Sequence, residues 1–182
     1  MRALRGAQLR TLRAQRGATT GEYIFWSVLA AFVLIASIVT YAKGNAAGQA
    51  QALVKDFSVL ANDASQSYSG QWANFTTVNA DNGGLFRNYS SLTDNGGGNI
   101  IVQPGGGTLT VAPGTLATAN DSGQYTITNL PADGCKNFAA GAQRAAGKIV
   151  VNGVTVKAYG GTYSPQLVQC TATNNTVIVT QS

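Results

Sequence analysis

Few side chains in this sequence could do covalent or acid–base chemistry. It contains no histidine, two cysteines (Cys135 and Cys170) and seven acidic residues that stand singly along the chain. No nucleophile beside a base and no pair of carboxylates stands out, so nothing indicates a catalytic site. Two cysteines without histidine or a carboxylate cluster also fall short of the four donors of a zinc site. We therefore expect no enzyme, no metal and no cofactor.

The two cysteines can still oxidise to a disulfide. They would pair if the domain reaches an oxidising compartment, and the bridge would close the chain between positions 135 and 170. In the loop-entropy model such a bridge stabilises the fold by about 3–4 kcal/mol. Two buried free thiols are the alternative.

Glu22 is the only glutamate, and it stands directly before an uncharged apolar run, YIFWSVLAAFVLIASIVTYA at residues 23–42. As a helix this run would be about 30 Å long, the thickness of one hydrocarbon core. Aromatic residues near both of its ends suit the two membrane interfaces. The apolar core of an ordinary signal peptide is usually shorter, although Ala46, Ala47 and Gly48 could imitate its cleavage site.

Charge changes sharply at Gly17. Five arginines and no acidic residue precede Gly17, whereas seven basic and seven acidic residues balance from Ala18 onward. The net charge of +5 therefore belongs to the first residues, and we expect no nucleic-acid surface on the rest. The arginines also predict that the N-terminus lies in the cytoplasm.

The position of Glu22 at the membrane edge requires an explanation, because a desolvated carboxylate is unfavourable without a cationic partner. Glu22 could be no more than the solvated flank of the helix. Alternatively its partner is a free α-amine on a neighbouring subunit, which a cut just after Gly17 would create.

The N-terminus resembles a type IV prepilin leader, which is basic and ends in glycine. The mature chain of this family carries glutamate as its fifth residue, followed by a hydrophobic helix. Here Gly17 ends the leader, Ala18 begins the mature chain, and Glu22 is its fifth residue. The long leader, the start without phenylalanine and the segment NLPADGCKNFAAGA at residues 129–142 are most similar to the type IVb branch.

The resemblance implies cleavage between Gly17 and Ala18 by a membrane prepilin peptidase. It also implies that identical subunits polymerise, with Glu22 neutralising the Ala18 amine of an adjacent subunit. The precursor would wait in the bacterial inner membrane for the pilus assembly machinery and end in an extracellular filament, used for example in adhesion or conjugation. A Cys135–Cys170 disulfide fits the same family. A minor pilin or secretion-system pseudopilin, and a membrane-anchored adhesin that never polymerises, are the alternatives.

Four regions follow from these patterns: a leader (1–17), a hydrophobic transmembrane and polymerisation helix (18–43), its amphipathic half (44–69) and a globular head (70–182), in which the disulfide bounds 135–170. An α+β fold is predicted, with the long N-terminal helix packed on a mainly antiparallel sheet. Gly44 and Gly48 suggest a bend or local melting of the helix, or close packing with another helix. Apolar residues at three- and four-residue steps form the stripe that would face the sheet: Ala46, Ala50, Leu53, Val54, Phe57, Leu60, Ala61, Ala64 and Tyr68.

Local patterns predict the elements of the head. Short strands are expected at 99–103, 108–112, 124–128 and 176–180, and a hairpin at Lys148–Lys157 turns on Asn152-Gly153. Asp133 is predicted to cap a helix that carries Cys135. Residues 70–98 are interpreted as a long surface loop, and the glycine runs at 96–98 and 105–107 as turns.

Overall fold

The computed structural model describes residues 20–182, although the side chains of residues 20–23, 26 and 36–47 lie outside that description. The predicted cleavage site, Gly17 and Ala18, therefore falls outside the described residues, as does the side chain of Glu22. The chain divides into two compact units, Met1–Tyr41 and Ala42–Ser182, and each is described by itself below.

One helix, α1 (Thr20–Tyr68), contains the hydrophobic half and the amphipathic half that the sequence predicts. It runs without interruption through Gly44 and Gly48. Within the part of the chain whose side chains are described, no helix is both long and apolar enough to cross a membrane.

The amphipathic stripe of α1 faces the core of the second unit, as predicted. Its members repeat at three- and four-residue steps, which places them on one face of a helix. The described members that are buried are Ala50, Leu53, Phe57, Leu60, Ala61 and Ala64.

The core of the second unit lies between α1 and a seven-stranded sheet in which every pair of neighbours is antiparallel. This confirms the predicted α+β fold. The strand order is β1-β2-β3-β4-β7-β5-β6. The strands are β1 (Leu92–Asp94), β2 (Ile100–Val102), β3 (Gly107–Thr115), β4 (Ala119–Leu130), β5 (Lys148–Val151), β6 (Val154–Lys157) and β7 (Asn175–Gln181).

All the predicted strands are present, and β3 and β4 are longer than expected. The hairpin formed by β5 and β6 turns at Asn152 and Gly153, whose φ angles are 48° and 84°. Two consecutive residues with positive φ are the mark of a type I′ turn. The predicted hairpin is therefore confirmed in its position and its turn. Of the glycine runs before and after β2, residues 96–98 and 105–106 have positive φ and precede the next strand as predicted turns, whereas Gly107 already begins β3.

The prediction of a surface loop over residues 70–98 is wrong. This segment contains a 3₁₀ turn (Trp72–Asn74), a short helix α2 (Thr77–Asn82) and β1. Three of its aromatic residues, Trp72, Phe75 and Phe86, are buried: the rings of Trp72 and Phe75 meet edge to face at 5.1 Å, and Phe75 contacts Tyr125 of β4 at 5.4 Å. These contacts stabilise a segment whose glycine and asparagine content indicated a loop.

A third helix, α3 (Ala132–Ala142), carries Cys135 as predicted, but its N-cap is Pro131 and not Asp133. The main-chain nitrogen of Cys135 donates to the Pro131 carbonyl at 2.8 Å, so the helix has already begun before Asp133. Asp133 lies instead in the first turn, where a carboxylate interacts favourably with the helix dipole.

Candidate functional site

The described side chains of the hydrophobic half of α1 are exposed. From residue 27 to residue 35 every side chain is exposed, and the exposed fractions of Ile24, Phe32 and Ile35 are 60, 69 and 60%. Successive helical residues point about 100° apart, so an unbroken apolar run covers the whole circumference. Ser27 is the polar residue among positions 27–35, and its hydroxyl donates to the Ile24 carbonyl at 2.8 Å. Such a surface requires either lipid or other helices around it.

Glu22 lies in α1 at the N-terminal edge of this apolar surface. Its backbone is described and helical, whereas its side chain and the Gly17–Ala18 bond are outside the description. The pairing of Glu22 with the amine of Ala18 therefore remains a prediction.

Three elements of the second unit meet at Phe57 of α1. Its ring lies edge to face against Tyr125 of β4 at 5.2 Å and against Phe138 of α3 at 5.1 Å. Nearby, α3 approaches α1 closely, because Gly141 faces Val54. A Cβ atom added to Gly141 would lie 2.4 Å from one Val54 methyl carbon. The part of α1 that lies in the second unit is thus fixed to the sheet and to α3.

The predicted disulfide is present, since Cys135 on α3 is bonded to Cys170 and their Cα atoms are 6.1 Å apart. It joins α3 to the segment that leads into β7. Asn175, which is fully buried, holds the same segment by donating to the carbonyls of Leu130 and Thr171, both at 2.8 Å. Sequence reasoning missed Asn175, because asparagine ahead of a strand is also an ordinary turn residue.

Asp56 attaches α1 to the residues that precede β1. One of its oxygens accepts from the main-chain nitrogen and the hydroxyl of Ser91, both at 2.8 Å, and from the Ser90 hydroxyl at 3.1 Å. Burial raises the pKa of Asp56, but these hydrogen bonds outweigh it and hold the pKa below its ordinary value. Asp56 is therefore ionised and engaged at neutral pH.

A cleft of about 570 Å³ opens between the end of α1 and the chain after α2. On its wall the Tyr89 hydroxyl donates to Asp63 at 2.9 Å. Burial and this hydrogen bond raise the pKa of Tyr89, so its hydroxyl remains a proton donor at neutral pH. No pattern in the sequence indicates this site, because its two walls come from residues that are far apart in the chain.

A long helix packed on an antiparallel sheet, with a disulfide near the C-terminus, defines a pilin-like α+β fold. The structure is similar to the crystal structure of a type IV b pilin from Salmonella typhi, with a TM-score of 0.53 and 18% sequence identity. The similarity covers 71% of this chain and 97% of that one, and at this identity it shows the fold.

Residues 47–182 match the family described as PilS N terminal. The chain therefore belongs to this pilin family, and its recognition as a type IVb pilin is confirmed. The comparison with curated proteins gives no match. Both the family and the fold are those of structural subunits, and the family implies an extracellular pilus built from identical subunits.

Proposed function

We propose that the chain is a structural subunit of a type IVb-like pilus that is cleaved after Gly17 and polymerises through the apolar half of α1. The observation that carries this proposal is the exposed apolar surface formed by residues 27–35 of α1. Inside a filament the same surface would be buried against the helices of other copies.

The apolar helix would lie in the inner membrane before assembly and move from there into the centre of the filament. This transfer exchanges contacts with lipid for contacts between helices, so it does not expose the apolar surface to water. Alanine residues at positions 30 and 31 are small enough to let neighbouring helices approach closely.

Glu22 would set the axial register between subunits. Removal of the leader creates an amine at Ala18, and Glu22 of an adjacent subunit neutralises it inside the helix bundle. A carboxylate left unpaired there would be strongly unfavourable, so only an offset that brings the two groups together is stable. This role requires cleavage first, because a peptide nitrogen at position 18 carries no charge.

The second unit would form the outer part of the filament. Phe57 connects α1 to β4 and α3, and the disulfide connects α3 to the segment before β7. A force applied along α1 is thus passed into a core that is cross-linked near its C-terminus.

The test is an intact mass of the protein recovered from cells that contain a prepilin peptidase and an assembly system. We expect a mature chain that begins at Ala18, and a start at any other residue contradicts the proposed cleavage. An uncleaved chain in the membrane would instead indicate a non-polymerising anchored adhesin.

Assembly is tested with Glu22→Gln, which removes the charge and keeps the shape. We expect normal cleavage and loss of filaments from the cell surface. Asp133→Asn is the matched control, because it makes the same chemical change at an exposed position of the second unit and should assemble normally. Wild-type filament yield from Glu22→Gln would show that the carboxylate does not set the register. Filaments that contain only traces of the chain would indicate a minor pilin.

A further inference from the structure

The cleft beside Tyr89 has the size and the lining of a small-molecule site. Its volume of about 570 Å³ falls within the range of about 300–1,000 Å³ that is typical of ligand pockets. Its lining combines aromatic rings with hydrogen-bonding side chains from both walls. The lining side chains that could contact a ligand through a ring or a hydrogen bond are Asp63, Ser67, Tyr68, Arg87, Asn88 and Tyr89.

The walls of the cleft are held in place before any ligand arrives. Tyr68 packs against Phe75 at a ring distance of 4.9 Å, and Tyr89 is fixed by its hydrogen bond to Asp63. Between them, the main-chain nitrogen of Leu85 donates to the Ala80 carbonyl at 2.9 Å. A preformed site avoids part of the entropy cost of ordering on binding.

Several polar groups in this cleft keep unused hydrogen-bonding capacity. Within the described part of the chain, no hydrogen bond or ion pair engages the side chains of Ser67, Arg87 or Asn88, and only the Tyr89 hydroxyl donates to Asp63. Asp121, in contrast, accepts from three main-chain nitrogens. Asp121 is thus fully engaged by the fold, whereas the side chains of the cleft leave donors and acceptors available.

We propose that this cleft binds a neutral carbohydrate of one or two sugar rings. Each sugar hydroxyl both donates and accepts, which matches a site that offers a carboxylate oxygen, a guanidinium, an amide and a hydroxyl together. The rings of Tyr68 and Tyr89 supply apolar surface with polar edges, as the C–H faces of a sugar require.

The charges favour a neutral ligand over an ion. Asp63 and Arg87 contribute one negative and one positive charge to the same lining, so neither an anion nor a cation meets a field of one sign. A phosphate or a carboxylate attracted by Arg87 would also be repelled by Asp63. A purely apolar ligand would leave the polar groups without partners.

The experiment is saturation-transfer NMR on the full-length protein, dispersed in a detergent that has no sugar head group. The probes are lactose, mannose and N-acetylglucosamine, with inorganic phosphate as the competitor. We expect saturable binding of at least one sugar with a dissociation constant of about 1 mM. Phosphate should not displace it.

Variants assign the signal to the cleft. Arg87→Gln should weaken binding about tenfold, because it removes a charged hydrogen-bond donor from an exposed side chain. Asp63→Asn should also weaken it, although asparagine still offers an acceptor to Tyr89. Arg144→Gln is the matched control, since it makes the same charge change at an exposed position outside the cleft and should leave binding unchanged.

Four results would overturn the proposal. These are the absence of saturable binding for all three sugars, equal binding by wild type and Arg87→Gln, displacement of the sugar by phosphate, and a change in subunit association in Arg87→Gln without any sugar signal. The last result would assign the cleft to a second copy of the chain. None of them affects the proposed pilus function, which is judged by mass and filament formation.

Discussion

The contact between α1 and α3 at Gly141 gives a prediction whose sign depends on one neighbouring side chain. A Cβ atom at position 141 would lie 2.4 and 2.6 Å from the two Val54 methyl carbons and 3.1 Å from the Val54 Cβ. Valine has one strongly preferred rotamer in a helix, so Val54 cannot turn its methyl groups away at low energy. In Gly141→Ala the two helices must therefore move apart.

Two effects of opposite sign decide the magnitude. Overpacking a core typically costs about 1–3 kcal/mol, and contact with both methyl groups of a stiff side chain indicates the upper half of that range. Alanine also favours the helix by about 1 kcal/mol relative to glycine. We expect Gly141→Ala to lower the free energy of unfolding by about 1–2 kcal/mol.

The same substitution should become stabilising once Val54 is alanine. Both clashing methyl groups are then absent, the remaining approach of 3.1 Å to the Cβ at position 54 requires only a small shift, and the helix propensity of alanine leaves a gain below about 1 kcal/mol. Gly48→Ala is a further control, because Gly48 lies in α1 with no atom within 4 Å of the added Cβ, and it should also stabilise the protein.

Urea unfolding of the full-length protein in detergent, followed by near-ultraviolet circular dichroism, measures all the variants. With a slope of about 2 kcal/mol per molar urea, a loss of about 1–2 kcal/mol shifts the midpoint by roughly 0.5–1 M. The coupling energy from the double-mutant cycle should be about 2–3 kcal/mol. If Gly141→Ala has the same effect in both backgrounds, the close contact with Val54 does not exist.

Three further predictions concern the stability of the second unit. Replacing Cys135 and Cys170 by serine should lower the free energy of unfolding by about 4 kcal/mol, measured by urea unfolding without reductant. A loss below about 1 kcal/mol would show that the disulfide does not stabilise the fold. Lys157 donates to two main-chain carbonyls at and just after the C-terminal end of α3, both at 2.6 Å. Lys157→Met should therefore lower the free energy of unfolding by about 1–3 kcal/mol. The control, Lys55→Met at an exposed position, should change it by less than about 0.5 kcal/mol. Because the pKa of Asp56 is lowered from 3.8 on folding, its contribution is present above about pH 4 and is lost as the pH falls further; Asp56→Asn should flatten this part of the urea midpoint-against-pH curve, and an unchanged curve would show that Asp56 does not contribute.

The parts of the fold that the sequence predicted are those in which a local pattern decides the structure. The stripe around Phe57 repeats at helical spacing, and its described members from Ala50 onward face the core. The hairpin at Asn152-Gly153 follows from two residues that accept positive φ. In both cases the physical preference acts within a few residues, so the sequence alone is sufficient.

The parts that were missed depend on contacts between distant residues. Trp72 and Phe75 stand in a segment with the composition of a loop, and their burial is decided by Tyr68 and by Tyr125 on β4. The spacing of three between them was the available signal, but it is too short to indicate a period. Thr77 is a similar case, since its hydroxyl bonds both the nitrogen and the carbonyl of Val111 across a separation of 34 residues.

The N-cap of α3 was missed for a different reason. Proline has no side-chain acceptor, so a search for capping side chains passes over Pro131 and selects Asp133. Yet the fixed φ of proline suits the start of a helix, and the Pro131 carbonyl accepts the first hydrogen bond of α3, from the Cys135 nitrogen. The helix itself was predictable, whereas its first residue was not.

The scattered aspartates that argued against catalysis have a structural reason to be scattered. Asp81, Asp94 and Asp121 each accept hydrogen bonds from main-chain nitrogens of a loop, as Asp56 does from Ser91. A loop can be held by one carboxylate, so such residues need no partner of their own kind. Hydrogen bonds from the Thr118 and neighbouring nitrogens also lower the pKa of Asp121, and a carboxylate stabilised in its ionised form is a poor base. Glu22 differs from these aspartates, because its proposed partner is the amine of another subunit. A variant series of these aspartates to asparagine should therefore lower stability and leave filament formation intact, whereas Glu22→Gln should abolish filaments and leave the stability of the second unit unchanged.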